Sequence, residues 1–439
     1  MAKINILTAF GQEKGKEGTF ISFYTQREAK YKNAPDSVFN NKKIPWEKVG
    51  MQSYLGLMDV PSPTIKEIDG YKSDKEVNPK PHDYSRDYLT FEAIEDGTFK
   101  FSNAITYSID DGTTWVDLTA NTDTPTIAAG NKIMWKATLV PSSSTGIGTF
   151  SATGNFNAYG NVMSLLYGDN FVGQTDLTGK DYTFFKLFFN NAKIVNTQNL
   201  ILPATTLVYA CYSNMFYGCT SLTTAPELPA TALVYACYSN MFYGCTSLTT
   251  APELPATALE SGCYNSMFQN CTSLTAAPAL SATTLAYADN CCQYMFCNCT
   301  SLTTAPALPA TELATRCYYG MFNGCTSLTT APELPATELA TRCYYYMFYG
   351  CTSLTTAPEL PATTLAENCY GSMFQNCTKL NYIKAMFTTT PSTTYTYNWV
   401  SGVSSTGTFV KNSAATWDVT GVNGVPTGWT VETASSEVK

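Results

Sequence analysis

The apolar and polar positions change their pattern near residue 200. From Leu202 to Cys377 one pattern, roughly LPATxLxxxCYxxMFxGCTSLTTAPE, occurs seven times. Its second cysteine recurs after 26, 26, 28, 26, 26 and 26 residues, at Cys219, Cys245, Cys271, Cys299, Cys325, Cys351 and Cys377. Units of this length bury their apolar face only by stacking on their neighbours. The sequence therefore predicts a repeat solenoid.

Within each unit, apolar residues recur at every fourth position, as at Leu207, Cys211 and Met215. This spacing predicts a short helix with one apolar face. We expect the helix to end just before the second cysteine, because only Gly and Asn, which tolerate left-handed backbone, occur there: Gly218, Gly244, Asn270, Asn298, Gly324, Gly350 and Asn376. The following CTSLTTAPEL predicts one short strand per unit, with Leu222 and Leu228 in the core.

An imperfect copy of the unit, FFNNAKIVNTQNLILPA, precedes the seven regular ones. Asn191 takes the place of the second cysteine and Ile194 takes the place of the following leucine. Terminal repeats are atypical because they cap the core. We therefore expect this copy to close the N-terminal end of the repeats.

The string MFxGCTSL, with its following strand, resembles the AFxxCxxL core of BspA-like leucine-rich repeats. Such repeats occur in surface adhesins of gut and oral Bacteroidetes and in proteins of their phages. The resemblance covers residues from about 170 to 385, and the tail from Trp399 to Val431 is similar to the ending of many such proteins. It implies an α/β leucine-rich repeat solenoid with a C-terminal cap that binds surfaces or glycans, and it supplies no catalytic residues.

The segment before the repeats has short alternating strands separated by turn residues, such as YLTFEA, AITYSI and NKIMWKATL. This pattern predicts an all-β, sandwich-like domain over residues 88–170. Its SIDDGTTW string, from Ser108 to Trp115, resembles the Asp-box hairpin of sialidase-like propellers. We expect Asp110 to accept backbone hydrogen bonds around the turn at Gly112. A single copy predicts a stable hairpin and no glycosidase activity.

The first 87 residues are rich in lysine and contain clusters of Pro, Lys and Asp from Pro61 onward. They predict a small N-terminal docking module with an extended linker. The whole chain is then a multidomain, β-rich protein. It has an anchoring module (1–87), an all-β domain (88–170), the α/β repeat solenoid (171–385) and a C-terminal cap (386–439).

The charge is unevenly distributed along the chain. Residues 1–90 hold 14 Lys and Arg against 12 Asp and Glu, and the remainder holds 12 against 22. The acidic remainder disfavours a nucleic-acid partner. No apolar stretch is long enough to span a membrane, so we expect no membrane insertion. We also expect no signal peptide at the N-terminus, and no lipid anchor there because the first cysteine is Cys211.

All 16 cysteines lie within the repeats. Fourteen fall in two recurring columns, and Cys292 and Cys297 are the exceptions. A recurring column predicts buried, reduced thiols that pack as small apolar side chains. We expect no metal, no cofactor and no catalytic residue, because the one histidine, His82, lies in the predicted linker.

The helix positions predicted to face away from the core are dominated by Tyr, Asn, Ser and Gly. These residues are typical of antibody-like binding surfaces, although neutral drift on a solvated face would give a similar mixture. The candidate ligand-binding residues are Tyr238, Tyr264, Tyr318, Tyr319, Tyr344, Tyr345, Tyr346 and Tyr349.

The layout of a docking module, a β-domain and a binding solenoid favours a non-enzymatic phage virion protein, such as a head or tail fibre. Its N-terminus would dock on a capsid or tail protein, and its repeats would bind host surface polysaccharide or protein. It would be assembled in the bacterial cytoplasm as a homo-oligomer, with a trimer favoured by analogy with fibres. The alternatives are a bacterial cell-surface adhesin and, third, a carbohydrate-degrading enzyme.

Overall fold

The computed structural model describes residues 82–142 and 145–434. The chain divides into two compact units, Met1–His82 and Asp83–Lys439. The predicted docking module and linker lie outside the described residues as far as residue 81. The helical turns and strands given below all belong to the second unit.

The N-terminal part of this unit is built from short strands and single helical turns. The strands are β1 (Leu89–Ala93), β2 (Phe99–Phe101), β3 (Ile105–Ser108), β4 (Val116–Leu118), β5 (Lys132–Lys136), β6 (Phe150–Ala152) and β7 (Phe156–Asn161). The helical turns are one α-helical turn, α1 (Ser164–Tyr167), and two 3-10 turns, Tyr84–Arg86 and Gly168–Asn170. The strands β7, β1, β5, β3 and β4 form one antiparallel sheet in that order, and β2 pairs separately with β6.

Alternation along the strands sends every second residue into an aromatic core. Phe91, at the centre of β1, is fully buried, and its ring lies 4.9 Å from Phe150 and 5.5 Å from Trp135. The ring of Phe156 completes the group at 4.7 Å from Phe91. This packing explains why the YLTFEA and NKIMWKATL segments pair as neighbouring strands.

The predicted hairpin forms around Gly112, which has a φ of +83°. The Asp110 carboxylate accepts hydrogen bonds from the backbone N–H of Thr114 (2.9 Å) and from the Ser108 hydroxyl (2.7 Å). The Thr114 bonds, followed by the Ser108 bond, lower the pKa of Asp110 to about 2. The motif therefore acts as a turn-stabilising element.

The β-strands continue into the first repeat without a break in packing. The strands β8 (Ile194–Asn196) and β9 (Leu200–Ile201) both pair in parallel with β7. The Phe150 and Phe188 rings stack at 5.8 Å, and the buried Asn191 amide donates to the Phe150 carbonyl at 3.2 Å. Residues on the two sides of position 170 therefore share one core.

The repeat segments predicted as helices are chains of tight turns, so the α/β expectation is wrong and the fold is β-rich with almost no helix. In the first regular repeat, every fourth residue has a positive φ: Ala210 (51°), Asn214 (59°) and Gly218 (71°). An α-helix does not accommodate this backbone. Between these residues, Cys211 and Met215 donate their N–H groups to carbonyls three residues earlier. The apolar period is therefore four residues, instead of the 3.6 of a helix.

Within the described residues this turn pattern occurs nine times, the last time with only two positive-φ residues, Asn398 and Gly402, and each occurrence is called a coil. Coils 1 to 9 are marked by the last positive-φ residue of each: Asn190, Gly218, Gly244, Asn270, Asn298, Gly324, Gly350, Asn376 and Gly402. The predicted left-handed conformation of the Gly and Asn column is confirmed. Coil 1 is the imperfect copy, where Asn191 and Ile194 are buried as the cysteine and leucine are elsewhere.

Successive coils are joined by backbone hydrogen bonds at every second residue. Tyr212 donates its N–H to the Cys237 carbonyl (3.0 Å), and Phe216 donates to that of Met241 (2.9 Å). The N–H groups between them are used within the coil. All the backbone donors of this segment are thus satisfied without a helix or a regular strand.

The strand predicted after each coil is reduced to isolated bridges after coils 2 to 7, whereas coil 1 is followed by β8 and coil 8 by a strand over Tyr382–Ala385. Thr224 pairs in parallel with Asn196 on one side and with Thr250 on the other. Pro226, two residues later, has no N–H, so the ladder cannot extend there. Leu222 and Leu228 are buried as predicted.

The interior of the coils contains two cysteine columns and a column of phenylalanine rings. All 16 cysteines are free and buried. In the second column each thiol donates to a phenylalanine carbonyl of the preceding coil, as Cys245 does to Phe216 at 3.1 Å. The rings stack from coil to coil, with 5.4 Å between Phe216 and Phe242. In coil 1, Asn191 makes the equivalent bond, to Phe150 of the β-strands.

A tryptophan-rich segment closes the other end of the repeats. The strands β10 (Tyr382–Ala385), β11 (Thr408–Lys411) and β12 (Thr430–Thr433) form a parallel sheet in that order. Trp399 is fully buried against Phe374, and Trp417 stacks on Phe387 at 5.4 Å. The Trp399 indole N–H donates to the Gly424 carbonyl at 3.0 Å. Large indoles thus close the core beyond coil 8, where Trp399 itself belongs to coil 9.

The last positive-φ column provides a test of the turn geometry. A Cβ on Gly324 would collide with the amide oxygen of Asn298 in the preceding coil, whereas a Cβ on Gly350 would lie 4.0 Å from the Cα of Gly324. Both glycines have a φ near +70°. Gly350→Ala should cost about 1 kcal/mol through backbone strain, and Gly324→Ala more than that, because the Asn298 amide must also rotate away and lose its bond to Asn270. Urea unfolding measures both values.

A double-mutant cycle isolates the collision. Replacing Asn298 with glycine in the Gly324→Ala background should recover the difference between the two alanine variants, since Asn298 itself has a φ of +60° and tolerates glycine. Equal costs for Gly324→Ala and Gly350→Ala would contradict the proposed contact.

Candidate functional site

The four-residue turn sends two consecutive side chains inward and the next two outward. In coil 2, Cys211 and Tyr212 are buried in the core, and the next two residues lie on the opposite side of the backbone, with Ser213 covered by its neighbours and Asn214 half-buried. The inward aromatic position is a core column: Tyr212 stacks on the tyrosine of the next coil at 5.7 Å. This alternation decides which of the predicted binding residues reach the surface.

Four of the predicted binding residues belong to the inward column, which corrects their placement on an exposed face. Tyr238, Tyr264, Tyr318 and Tyr344 are each at most 3% exposed. Their rings stack between coils, at 6.2 Å for Tyr238 with Tyr264 and 6.0 Å for Tyr318 with Tyr344. Since each one follows the first cysteine directly, it points inward together with that cysteine.

The other four predicted residues lie outside and contact one another. Tyr319 stacks on Tyr345 at 5.3 Å, and Tyr346 lies edge-on to Tyr345 at 4.5 Å and to Tyr349 at 5.4 Å. Tyr294, which was not among the predicted residues, joins them through an edge contact with Tyr319 at 5.3 Å. These five residues are called the tyrosine cluster.

Glycines allow the rings of the tyrosine cluster to lie close to the backbone. A Cβ on Gly320 would collide with the Tyr294 ring, and a Cβ on Gly371 would collide with the Tyr345 ring. Burial, and next the neighbouring Tyr346, raise the pKa of Tyr345 to about 12. The Tyr345 phenol therefore stays neutral at physiological pH, and its ring is held in place by packing.

A second group of rings lies on coils 1 to 3 at the same position of the coil. Phe189 stacks on Tyr217 at 4.9 Å, and Tyr217 stacks on Tyr243 at 4.5 Å. These three residues are called the Phe189 ladder. The Lys186 ammonium lies 4.9 Å from the centre of the Phe189 ring. The signal for this ladder was present in the sequence, because Tyr217 and Tyr243 occupy the same outward position as Tyr349.

Both groups belong to one surface, called the outer face, made of the three outward positions that are Ser213, Asn214 and Tyr217 in coil 2. Over nine coils it comprises 27 residues, of which ten are aromatic and 13 are Ser, Asn or Gln: Phe185, Lys186, Phe189, Ser213, Asn214, Tyr217, Ser239, Asn240, Tyr243, Asn265, Ser266, Gln269, Gln293, Tyr294, Cys297, Tyr319, Gly320, Asn323, Tyr345, Tyr346, Tyr349, Gly371, Ser372, Gln375, Tyr397, Asn398 and Ser401. Six of them are covered by their neighbours, namely Ser213, Ser266, Cys297, Gly320, Gly371 and Ser372, and the other 21 are at least partly exposed. Lys186 is its single charged member, although 14% of the chain is charged.

Coil 4 separates the two aromatic groups with polar side chains. Its Asn265 amide donates to the Gln293 side-chain oxygen of coil 5 at 3.1 Å, and its Ser266 hydroxyl bonds to Asn265. Neighbouring coils are about 4.8 Å apart, so Tyr243 and Tyr294 are separated by about 10 Å along the stack. The outer face thus alternates ring clusters with amide and hydroxyl groups.

The β-strand region contains a cleft of about 690 Å³, which Lys136 and Asp169 help to line. These two side chains form an ion pair at 2.7 Å, and the Tyr88 hydroxyl donates to Asp169 at 2.6 Å. The Lys136 ammonium also lies 4.1 Å from the Trp115 ring centre. Because these polar groups bind each other, the cluster is explained by local packing.

The described part of the chain offers neither a metal-binding cluster nor a membrane-spanning helix. Within residues 82–142 and 145–434, no group of three or more His, Cys, Asp or Glu residues is placed to hold a metal ion. No helix in the same ranges is long and apolar enough to cross a membrane.

Comparison with known families identifies the repeats. The model of the BspA type leucine rich repeat region matches six copies, over residues 186–305 and 281–402. No curated protein and no solved structure matches the chain.

Proposed function

We propose, from the premise that residues 186–402 belong to the BspA-type leucine-rich repeats, that this chain is a non-enzymatic protein that attaches to a biological surface through its coils. The observation that supports this most directly is the composition of the outer face. Tyrosine offers large contact area at a small entropic cost, and Ser, Asn and Gln offer adaptable hydrogen bonds. Ten of its 27 residues are aromatic, and most of their rings are grouped side by side on neighbouring coils.

The binding residues in this proposal are Tyr319, Tyr345, Tyr346 and Tyr349, together with Tyr294. Their mutual contacts fix the rings before a partner arrives, so little further freedom is lost on binding. A few such anchors usually carry most of the binding free energy.

The finer proposal is a phage head or tail fibre, a solenoid that docks on a capsid or tail protein by residues 1–87 and displays its coils to the host. It is supported by the order of segments in the sequence and by the family resemblance. The protein would then be a homo-oligomer, with a trimer favoured by analogy, and located in the virion. The alternative is an adhesin on the bacterial cell surface. Mass spectrometry of purified virions and of bacterial membranes distinguishes the two.

The binding role has a direct test. Labelled full-length protein should be retained on at least one strain in a panel of gut and oral Bacteroidetes, where the family occurs. Replacing Tyr319 and Tyr346 with serine should weaken retention by at least about tenfold, since each anchor contributes about 1–2 kcal/mol. Flow cytometry measures the retained protein.

The matched control is Tyr287→Ser. Tyr287 is 91% exposed and lies outside the outer face, so its loss should leave retention unchanged. Circular dichroism should report the same fold for all variants. If the Tyr319 and Tyr346 variant binds as the unmodified protein does, the tyrosine cluster is not the site.

A further inference from the structure

The ligand class follows from the charge pattern of the outer face. Anionic glycans, nucleic acids and acidic proteins are bound by clusters of Lys and Arg, yet this face has a single cation, Lys186, at its N-terminal end. It has no Asp or Glu among its 27 positions, although the chain has a net charge of −8. The preceding outward pair of each coil, Tyr209 and Ala210 in coil 2, holds three acids and two arginines over coils 1 to 8, and two of these, Arg342 and Glu367, form an ion pair at 4.0 Å. Because charge is scarce on the outer face and of mixed sign beside it, an uncharged ligand is favoured.

The hydrogen-bonding side chains of the outer face narrow the class of ligand further. Asn, Gln, Ser and Tyr side chains each offer both a donor and an acceptor, as the hydroxyl groups of a sugar do. Aromatic rings pack against the apolar C–H faces of sugars and replace the water there. The mixture of ten aromatic residues and ten partly exposed Ser, Asn or Gln residues fits both the apolar and the polar surfaces of a neutral sugar.

The geometry of the stack favours a chain of sugars over a single one. Equivalent positions recur about every 4.8 Å along the coils, which is close to the length of one pyranose ring. An extended polysaccharide parallel to the stack would place successive sugars over successive coils. The Phe189 ladder and the tyrosine cluster, about 10 Å apart along the same line, would contact two parts of one chain.

From these observations we infer that the outer face binds an uncharged, extended polysaccharide that lies along the coils and contacts the Phe189 ladder and the tyrosine cluster together. This inference rests on the proposed surface-binding function and specifies its ligand. Once the polysaccharide is bound at one of the two contact areas, its effective concentration at the other area is high. Binding should therefore strengthen with the length of the polysaccharide.

Chemical treatment of the target cells tests the inference before the glycan has been identified. Periodate cleaves the vicinal diols of sugars, so treated cells should lose at least about tenfold in retained protein, whereas protease-treated cells should retain it. Retention that is lost with protease and survives periodate means a protein ligand: the inference is then overturned and the surface-binding function stands. If no cell retains the protein, both are overturned.

Affinity electrophoresis tests the class directly. Gels containing galactomannan, xyloglucan or mixed-linkage β-glucan should retard the full-length protein in at least one case, with the same retardation at low and high salt, and hyaluronate gels should not. Retardation confined to hyaluronate, strong weakening by salt, or no retardation in any neutral gel overturns the inference.

A variant that displaces one ring tests whether polysaccharide binding depends on the position of Tyr345. Gly371→Ala should push the Tyr345 ring out of place and reduce retardation several-fold while the fold is kept, because Gly371 has no positive φ that alanine would strain. In a Tyr345→Ser background the same substitution should change nothing further. Equal losses in both backgrounds would overturn the assigned role of Tyr345.

Discussion

Raising the pH above about 9 should unfold the repeats in a steep transition. Burial raises the pKa of all fourteen column thiols, for example that of Cys237 to about 12. Because the unfolded chain releases these protons first, stability is complete below the unfolded pKa of about 8.5 and falls as the pH rises toward the folded value.

The expected size of this effect is large. Above the unfolded pKa, each column thiol lowers the free energy of unfolding by about 1.4 kcal/mol per pH unit. The fourteen together lower it by on the order of 20 kcal/mol per pH unit. A typical domain is stable by about 5–15 kcal/mol. Thermal melts at a series of pH values, followed by circular dichroism, should show a collapse of Tm within about one to two pH units.

Thiol labelling checks the cause of the alkaline transition. At pH 7 a thiol reagent should label few of the 16 cysteines in the native protein and nearly all after denaturation, because buried, protonated thiols are unreactive. Labelling should then become complete at the pH where the fold is lost. A Tm that stays unchanged to about pH 10.5, or several disulfides in the intact mass, would contradict the buried thiol columns.

The sequence specified the stacking units more reliably than their local structure. The cysteine columns, the leucine positions and the left-handed Gly and Asn column all follow from residue type at a fixed register, because burial and positive φ select few side chains. The helix prediction failed because a four-residue turn repeat and a 3.6-residue helix give similar spacing over three apolar positions such as Leu207, Cys211 and Met215.

A signal against the helix was nevertheless present. The three positive-φ positions of each coil, such as Ala210, Asn214 and Gly218, contain no β-branched residue in coils 1 to 8, and Asn, Gly and Ser are frequent there. These three types are poor helix formers. The inward direction of Tyr238 and Tyr344 also depends on this turn, so it could not be obtained while a helix was assumed.

The link between the β-strands and the coils was not predictable from residue type. Asn191 was recognised as the residue in the cysteine position, but its partner, the Phe150 carbonyl, lies 41 residues away. The contact exists because β6 occupies the place of a preceding coil. Such a contact depends on the tertiary arrangement and not on a local pattern.

Removing one ring from the middle of the phenylalanine column should weaken the protein strongly and divide its unfolding. Phe268 is fully buried in coil 4, with Phe242 at 5.5 Å and Phe296 at 5.6 Å. Phe268→Ala should cost about 3–5 kcal/mol, because it leaves a cavity lined by two rings that cannot close it. Since each coil contacts only its neighbours, coils on the two sides of the cavity should then unfold at different temperatures.

The matched control is Phe189→Ala in coil 1. Phe189 also stacks on one neighbour, Tyr217, but it is half-buried on the outer face, so its loss should cost about 1 kcal/mol and leave a single transition. Differential scanning calorimetry distinguishes one transition from two. One sharp transition for Phe268→Ala, with a cost near that of the control, would mean that the ring column does not couple the coils, and that the backbone hydrogen bonds between them carry the cooperativity.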